Sequence, residues 1–202
     1  MLDIGIILTV FALVFVAELP DKTAIASLVL GTRFPWIWVF AGTGAAFVVH
    51  VLVALAAGQL LHLLPAQLLE AVIAVLFLLG AFLIWREGQE DDEGEEDDAE
   101  EAATSVADGA GFWKVASVGF GVIFVAEWGD LTQIMTANLA AKYHDPLSVG
   151  IGAVLGLWAV SLIALLGGRT LLKFLPIKWI TRAAAVVMVV LGILSAVNAI
   201  RG

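Results

Sequence analysis

Long apolar runs, separated by short polar or charged stretches, dominate the pattern along the chain. About 20 apolar residues in helical conformation are enough to cross the hydrocarbon core of a bilayer. The pattern therefore predicts an all-α integral membrane protein with six transmembrane helices and the lipid bilayer as its surroundings. Because no basic residue precedes the first run, we expect a retained helix there and not a cleaved signal peptide. The six runs are Ile4–Leu30, Trp36–Leu61, Leu68–Trp85, Phe112–Ala141, Leu147–Leu166 and Trp179–Ile200.

Charge is concentrated in one stretch of an otherwise apolar chain. Hydrophobic residues make up 61% of the 202 residues and charged residues only 14%, against about 25% charged in soluble proteins. Twelve of the 19 acidic residues lie between Glu87 and Asp108, so the net charge of −9 is a local property. Such a stretch buries too little apolar surface to offset the entropy lost on ordering. We therefore expect residues 86–111 to form a disordered acidic loop between residues 1–85 and 112–202.

The remaining composition excludes several classes of site. The chain has no cysteine, which excludes disulfides, thiolate metal sites and cysteine nucleophiles. Acidity confined to one loop also argues against nucleic-acid binding, which requires a basic surface.

Lysine and arginine near the ends of the predicted spans indicate their orientation in the membrane. Only Lys142 and Arg201 lie at the second and fourth connections or the carboxyl terminus. This bias predicts a multi-pass protein of the cell membrane, with both termini outside and the acidic loop in the cytoplasm. Seven basic residues lie in or beside the first, third and fifth connections: Arg33, Arg86, Lys114, Arg169, Lys173, Lys178 and Arg182.

An internal repeat relates the two halves of the chain. Residues 16–23, Val-Ala-Glu-Leu-Pro-Asp-Lys-Thr, align without gaps with residues 125–132, Val-Ala-Glu-Trp-Gly-Asp-Leu-Thr. Three predicted spans per half give the second copy the opposite orientation, so we expect two inverted three-helix repeats. Transporters with this architecture bind substrate near the bilayer midplane on broken helices, and Pro20 and Gly129 lie where such breaks are expected. Glycines along the second and fifth spans are expected to permit close helix packing.

Each copy of the repeat carries two acidic residues near the middle of a predicted span. Glu18 and Asp21 are three residues apart, as are Glu127 and Asp130, so each pair lies on one helical face. Ionisable groups at that depth are unfavourable and mark ion or proton pathways. Four neighbouring carboxylates require a counter-charge, so a divalent cation and protons compete for the same oxygens. An all-oxygen site suits hard cations such as Ca²⁺, Mn²⁺ or Mg²⁺.

Several polar residues near these carboxylates are further candidates for the site. His50 lies in the middle of the second predicted span, where a neutral, hydrogen-bonded histidine is favoured over a ligand or a proton relay. Ser27 and Thr136 correspond in the repeat and are expected to form hydrogen bonds between helices. The candidate set consists of Thr23, Thr132, Gln133, Lys22 and His50.

The paired motif resembles the Gdt-type family of divalent cation/proton exchangers. That family is characterised by two copies of Glu-x-Gly-Asp-Lys/Arg-Thr/Ser, one in each inverted three-helix half, separated by an acidic cytoplasmic loop. This chain departs from the motif twice, because Pro20 replaces its glycine and Leu131 replaces its basic residue. The resemblance implies a cation site with Thr23 and Thr132 beside it and with four carboxylate ligands: Glu18, Asp21, Glu127 and Asp130.

These observations favour a secondary transporter that exports Mn²⁺ and/or Ca²⁺ from the cytoplasm in exchange for protons, without enzymatic activity or a resident cofactor. The direction is implied by the resemblance. An intramembrane aspartyl protease is one alternative, because Gly129-Asp130 superficially fits it. That enzyme needs an asymmetric acid/base pair, against which the near-identical motifs argue. Another alternative, an exporter of organic solutes, predicts fixed cationic groups in place of four acids.

Overall fold

The computed structural model consists of α-helices and short connections throughout its described part. The first half contains α1 (Ile4–Glu18), α2 (Lys22–Arg33), α3 (Trp36–Leu61) and α4 (Ala66–Glu87). The second half contains α5 (Phe112–Ala126), α6 (Leu131–Tyr143), α7 (Pro146–Phe174) and α8 (Ile177–Arg201). The structure describes residues 2–18, 22–61, 63–87, 101–102, 104, 106, 110–174 and 177–201.

Helices occupy all six runs from which spans were predicted. The fourth run is divided into two helices, α5 and α6, where a break was expected. The first run contains α1 and α2, and residues 19–21 between them, with the break expected at Pro20, lie outside the described part. Within the described part of the chain, two stretches are long and apolar enough to cross a membrane, Trp36–Leu61 and Pro146–Gly167. The other apolar helical stretches described are shorter, as for Ile4–Glu18 and Phe112–Ala126.

Polar side chains fix the start of two helices that pack together. The carboxylate of Asp145 accepts a hydrogen bond from the Ser148 N–H at 3.1 Å and so caps α7. The hydroxyl and N–H of Ser148 hold the pKa of Asp145 below its ordinary value. The same hydroxyl accepts a hydrogen bond from the N–H of Asp3 at 2.9 Å. The first turn of α1 is therefore tied to the first turn of α7.

The long helix of each half packs against two shorter helices of the other half. Helices α1 and α2 contact α7, while α5 and α6 contact α3, and α4 packs along α8. Glycines allow these backbones to approach closely, as the sequence predicted. A Cβ atom on Gly152 of α7 would lie 2.6 Å from the carbonyl oxygen of Ile7 in α1, and one on Gly42 of α3 would lie 2.9 Å from the Phe120 nitrogen in α5.

Apolar side chains fill the centre of the helix bundle and also cover its outside. Phe47, Phe77 and Leu139 belong to the buried core formed by several helices. Large apolar side chains on the outer faces are exposed, including Leu52 at 59% and Val75 at 63%. Exposed apolar surface of this extent is typical of helices that contact lipid in place of water.

Val106, near the end of the predicted acidic loop, packs against the helices. It is 5% exposed and belongs to a small apolar cluster that includes Leu30 and Leu165. The expected disorder of residues 86–111 stays a prediction, because most of these residues lie outside the described part of the chain. Residues 88–100 lie outside the described part of the chain.

Candidate metal centre

Acidic side chains from both halves of the chain lie close together. Glu18 is the last residue of α1, Glu127 follows α5, and Asp130 precedes α6. One carboxylate oxygen from each of these residues lies within 4.8 Å of the others. Glu18 and Glu127 are buried, at 0% and 2% exposure, and Asp130 is half-buried. Asp21, the fourth predicted ligand, lies outside the described residues.

A tight turn from Glu127 to Asp130 separates α5 from α6. The N–H of Glu127 still donates to the Ile123 carbonyl at 3.0 Å, and the N–H of Asp130 donates to the Glu127 carbonyl at 3.2 Å. Between them Gly129 has a φ of +82°, a left-handed conformation that residues with a Cβ rarely adopt. The glycine thus permits a turn that presents both acidic residues of the motif.

Asp130 caps α6 with its carboxylate. Its Oδ2 atom accepts hydrogen bonds from the N–H of Thr132 at 3.1 Å and from the Thr132 hydroxyl at 3.2 Å. The positive end of the helix dipole lies at the same place and favours a negative charge there. Thr132 was predicted to lie beside the cation site, and it lies against the Asp130 carboxylate.

A small cavity adjoins Glu127. Its lining includes three polar residues of α6, Thr132, Gln133 and Thr136. Thr136 was not among the site residues predicted from the sequence, although it lies one helical turn beyond Thr132 and so shares its face. The remaining lining residues are Phe47, His50, Val51, Ala54 and Leu157.

The interhelical hydrogen bonds expected of Ser27 and Thr136 do not form. Both hydroxyls are fully buried, and within the described structure neither has a hydrogen-bond partner. The prediction was wrong because each hydroxyl is buried where no described donor or acceptor lies within hydrogen-bond distance. Thr136 lines the cavity beside Glu127.

His50 is held in the interior by hydrogen bonds at both ring nitrogens. Its Nε2 atom lies 3.2 Å from the Phe124 carbonyl oxygen, and its Nδ1 atom lies 3.0 Å from Nε2 of Gln133. The ring also packs against the side chains of Phe124 and Trp128. In this arrangement protein groups occupy both nitrogens, so His50 contacts the site through Gln133. Lys22 and Thr23 begin α2, and their side chains lie outside the described part.

The three carboxylates repel one another when all are ionised. Two unit charges 4.8 Å apart repel by about 3 kcal/mol at an effective dielectric constant of about 20. A divalent cation bound among their oxygens would offset this repulsion.

Comparisons with known proteins place the chain in a family. A sequence model described as "Divalent cation/proton antiporter GDT1" matches residues 6–92 and 115–202. The "GDT1-like protein sll0615" of Synechocystis is 32% identical over 165 residues, covering 78% of this chain and 80% of that protein. "Protein PAM71, chloroplastic" of Arabidopsis thaliana is 32% identical over 198 residues, covering 89% of this chain and 53% of that protein.

The chain thus spans most of the cyanobacterial relative and about half the length of the chloroplast protein. No solved structure matches the chain. The family model covers both halves of the chain. It leaves out residues 93–114, which include most of the acidic loop. The chain belongs to the GDT1 family of divalent cation/proton antiporters.

Proposed function

We propose that this protein is a secondary transporter that moves Mn²⁺ and/or Ca²⁺ out of the cytoplasm in exchange for protons. The proposed cation site consists of Glu18, Asp21, Glu127 and Asp130. The observation that carries the proposal is the approach of the Glu18, Glu127 and Asp130 carboxylates to within 4.8 Å, with both glutamates buried. Membership of an antiporter family supports the exchange of cations for protons.

Exchange follows from competition for the same oxygens. A divalent cation neutralises the buried carboxylates and displaces their protons, and its departure leaves charges that protons must neutralise. Carboxylates with the hydroxyl of Thr132 nearby offer only oxygen ligands, which hard cations such as Mn²⁺ and Ca²⁺ prefer. The metal is therefore the transported substrate and not a resident cofactor.

The proposed architecture is a six-span protein built from two inverted repeats. Three observations support it: the described break between α5 and α6 lies in the repeated motif, helices of each half pack on the long helix of the other half, and the family model matches segments on both sides of the acidic loop. Inverted repeats offer two related access routes to one site between them. Alternating use of these routes is the proposed transport cycle.

The proposed orientation places the acidic loop in the cytoplasm and both termini outside the cell membrane. Seven basic residues at the first, third and fifth connections, against two at the other face, support this orientation. In inside-out vesicles, where the cytoplasmic face is outermost, we expect a protease site inserted in the loop to be cleaved. Cleavage only in right-side-out vesicles would reverse the orientation.

Proteoliposomes containing the purified chain test the exchange. We expect Mn²⁺ or Ca²⁺ uptake to follow an imposed pH gradient, acidic inside, with the membrane potential held at zero by K⁺ and valinomycin. Uptake should be accompanied by alkalinisation of the vesicle interior, because each cation that enters releases protons outward. Cation flux that is indifferent to the pH gradient would rule out proton coupling, and empty liposomes provide the baseline.

Thr136→Val separates a role in cation binding from a role in folding. Valine has nearly the same shape, and it removes a buried hydroxyl that has no described partner, so we expect a gain in stability of about 1 kcal/mol. The Thr136 hydroxyl is proposed as a neutral oxygen ligand in the cavity. Its loss should raise the apparent KM for Mn²⁺ by roughly threefold, which corresponds to the net free energy of one neutral hydrogen bond.

Ser195→Ala is the matched control. Ser195 is fully buried without a described partner but does not line the cavity, so this variant should gain stability and keep the wild-type KM. Thermal unfolding in detergent and initial transport rates measure the two effects. An unchanged KM in Thr136→Val would remove Thr136 from the cation pathway.

A further inference from the structure

A chain of hydrogen bonds joins α3 to the turn that carries Glu127 and Asp130. The Phe124 carbonyl lies 3.2 Å from His50 Nε2, and His50 Nδ1 lies 3.0 Å from Gln133 Nε2. The amide oxygen Oε1 of Gln133 then accepts a hydrogen bond from the Gly129 N–H at 2.9 Å. These hydrogen bonds therefore start at the last turn of α5, pass through side chains of α3 and α6, and end at the turn between α5 and α6.

The chemistry of these atoms fixes the direction of every hydrogen bond. The Gly129 N–H can only donate, so the oxygen of the Gln133 amide must face it. The amide nitrogen of Gln133 then faces His50, and because it can only donate, His50 Nδ1 must be the acceptor. The ring proton therefore resides on Nε2, where it donates to the Phe124 carbonyl. One arrangement satisfies all three contacts.

The sequence of the first half does not repeat these residues. In the ungapped alignment of the two motifs, Gln133 corresponds to Ala24 and Gly129 to Pro20. Proline has no N–H to donate, so the hydrogen bond made by the Gly129 N–H cannot be repeated at that position.

We propose that His50 and Gln133 are positioning residues for the cation site. Gln133 holds the Gly129 N–H and thereby the turn that directs Glu127 and Asp130, and His50 holds the Gln133 amide in the required orientation. The side chain of Gln133 connects its own helix to the preceding turn. That helix begins at Leu131, and the Gly129 N–H that donates to Gln133 lies in the turn before it. The second half thus depends on α3, an element of the first half, for the geometry of its carboxylates.

This role differs from ligation and predicts a different kinetic signature. A positioning residue arranges the ligands before the cation binds, so its loss weakens cation binding. The apparent KM for Mn²⁺ should rise while kcat changes little. The transport readout rests on the proposed function, whereas the geometry of the turn is measurable without transport.

Two substitutions at His50 separate its two hydrogen bonds. The amide of asparagine reaches the position of Nδ1, so His50→Asn keeps an acceptor for Gln133 and loses the bond to Phe124. The amide of glutamine reaches the position of Nε2, so His50→Gln keeps the bond to Phe124 and loses the acceptor. Gln133→Met breaks the chain from the other end with a side chain of similar length, so two independent variants test the same link.

Hydrogen exchange at the Gly129 amide in the cation-free, detergent-solubilised protein measures the turn itself. We expect about fivefold faster exchange in His50→Gln and Gln133→Met, as for the loss of one hydrogen bond. His50→Asn should stay within about twofold of wild type by the same comparison. His144→Asn is the control, since His144 is exposed and lies at the far end of α6. Equal exchange in all variants would overturn the proposal.

Mn²⁺ transport by the same proteins gives the second readout. We expect the KM to rise about fivefold in His50→Gln and in Gln133→Met, with rescue in His50→Asn. The double variant His50→Gln/Gln133→Met should be no worse than Gln133→Met, because His50 acts through Gln133. A multiplicative effect in the double variant would show independent roles and overturn the proposal.

The two readouts distinguish the possible failures. If the wild-type protein transports no divalent cation, the proposed function fails while hydrogen exchange still decides the positioning role. If the wild type transports Mn²⁺ and exchange at Gly129 is unaffected by the variants, the positioning role fails and the proposed function stands.

Discussion

Replacing Glu127 by glutamine is expected to lower the kcat/KM for Mn²⁺ transport by at least about a hundredfold. Glutamine keeps the shape of the side chain and removes its charge from a buried cluster in which Glu18 and Asp130 lie within 4.8 Å. Loss of one charged partner at a desolvated site costs about 2–5 kcal/mol, which corresponds to roughly thirtyfold or more in affinity. The substitution also removes a group that must accept a proton when the cation leaves, so turnover falls as well.

Initial rates of Mn²⁺ uptake in proteoliposomes under a fixed pH gradient measure this effect. Glu18→Gln should behave like Glu127→Gln, because the two glutamates are both buried in the same cluster. Glu70→Gln is the matched control. Glu70 lies in α4 outside the cluster and has one buried carboxylate oxygen, so its substitution should leave the rate within about twofold of wild type. Wild-type rates in both Glu18→Gln and Glu127→Gln would refute the assigned site.

Four acidic residues were predicted to form one cation site, and the structure brings the carboxylates of three of them close together: Glu18, Glu127 and Asp130. Cation binding by this set stays a prediction. Glu127 and Asp130 occur in a repeated motif interrupted at Gly129, and the repeat requires an equivalent set in the other half. Glu18 reaches this set in the structure. The contribution of Asp21 stays a prediction, since it lies outside the described residues.

The helices were also predictable, apart from some of their ends. Apolar runs identify where helices occur, and the predicted span Trp36–Leu61 coincides with α3. Helix α7 continues to Phe174, beyond the predicted end at Leu166. Charged residues such as Arg169 end an apolar run without ending a helix, because arginine has a high helix propensity. Hydrophobicity therefore locates a span more reliably than it locates a helix terminus.

The hydrogen-bond chain through His50 could not be predicted. It depends on the rotation of α3 against α5 and α6, which places His50 beside residues far along the chain, Phe124 and Gln133. Helix packing fixes that rotation, and periodicity is a weak guide in helices that are apolar on most faces. The unpartnered hydroxyl of Thr136 has the same origin.

Helix packing is itself the subject of the second large effect. Gly42→Ala is expected to destabilise the protein by about 2–3 kcal/mol, because a Cβ atom at this position would lie 2.9 Å from the Phe120 nitrogen and closer still to the Ala116 carbonyl. Both are backbone atoms of α5, so no side-chain rotation relieves the overlap. Helices α3 and α5 must move apart, which reduces packing along their whole contact.

Gly121→Ala isolates this effect from the intrinsic preference of alanine for helices. Gly121 also lies in α5, and a Cβ atom there would meet nothing within 4 Å, so this variant should gain about 0.5–1 kcal/mol. Thermal unfolding in detergent should lower the Tm of Gly42→Ala by roughly 4–12 °C and leave that of Gly121→Ala unchanged or raised. Equal shifts in both variants would contradict the packing seen between α3 and α5. Opposite shifts would show that α5 is held in place by close backbone contact with α3 of the first half. The turn between α5 and α6 depends on α3 in the same way, through His50.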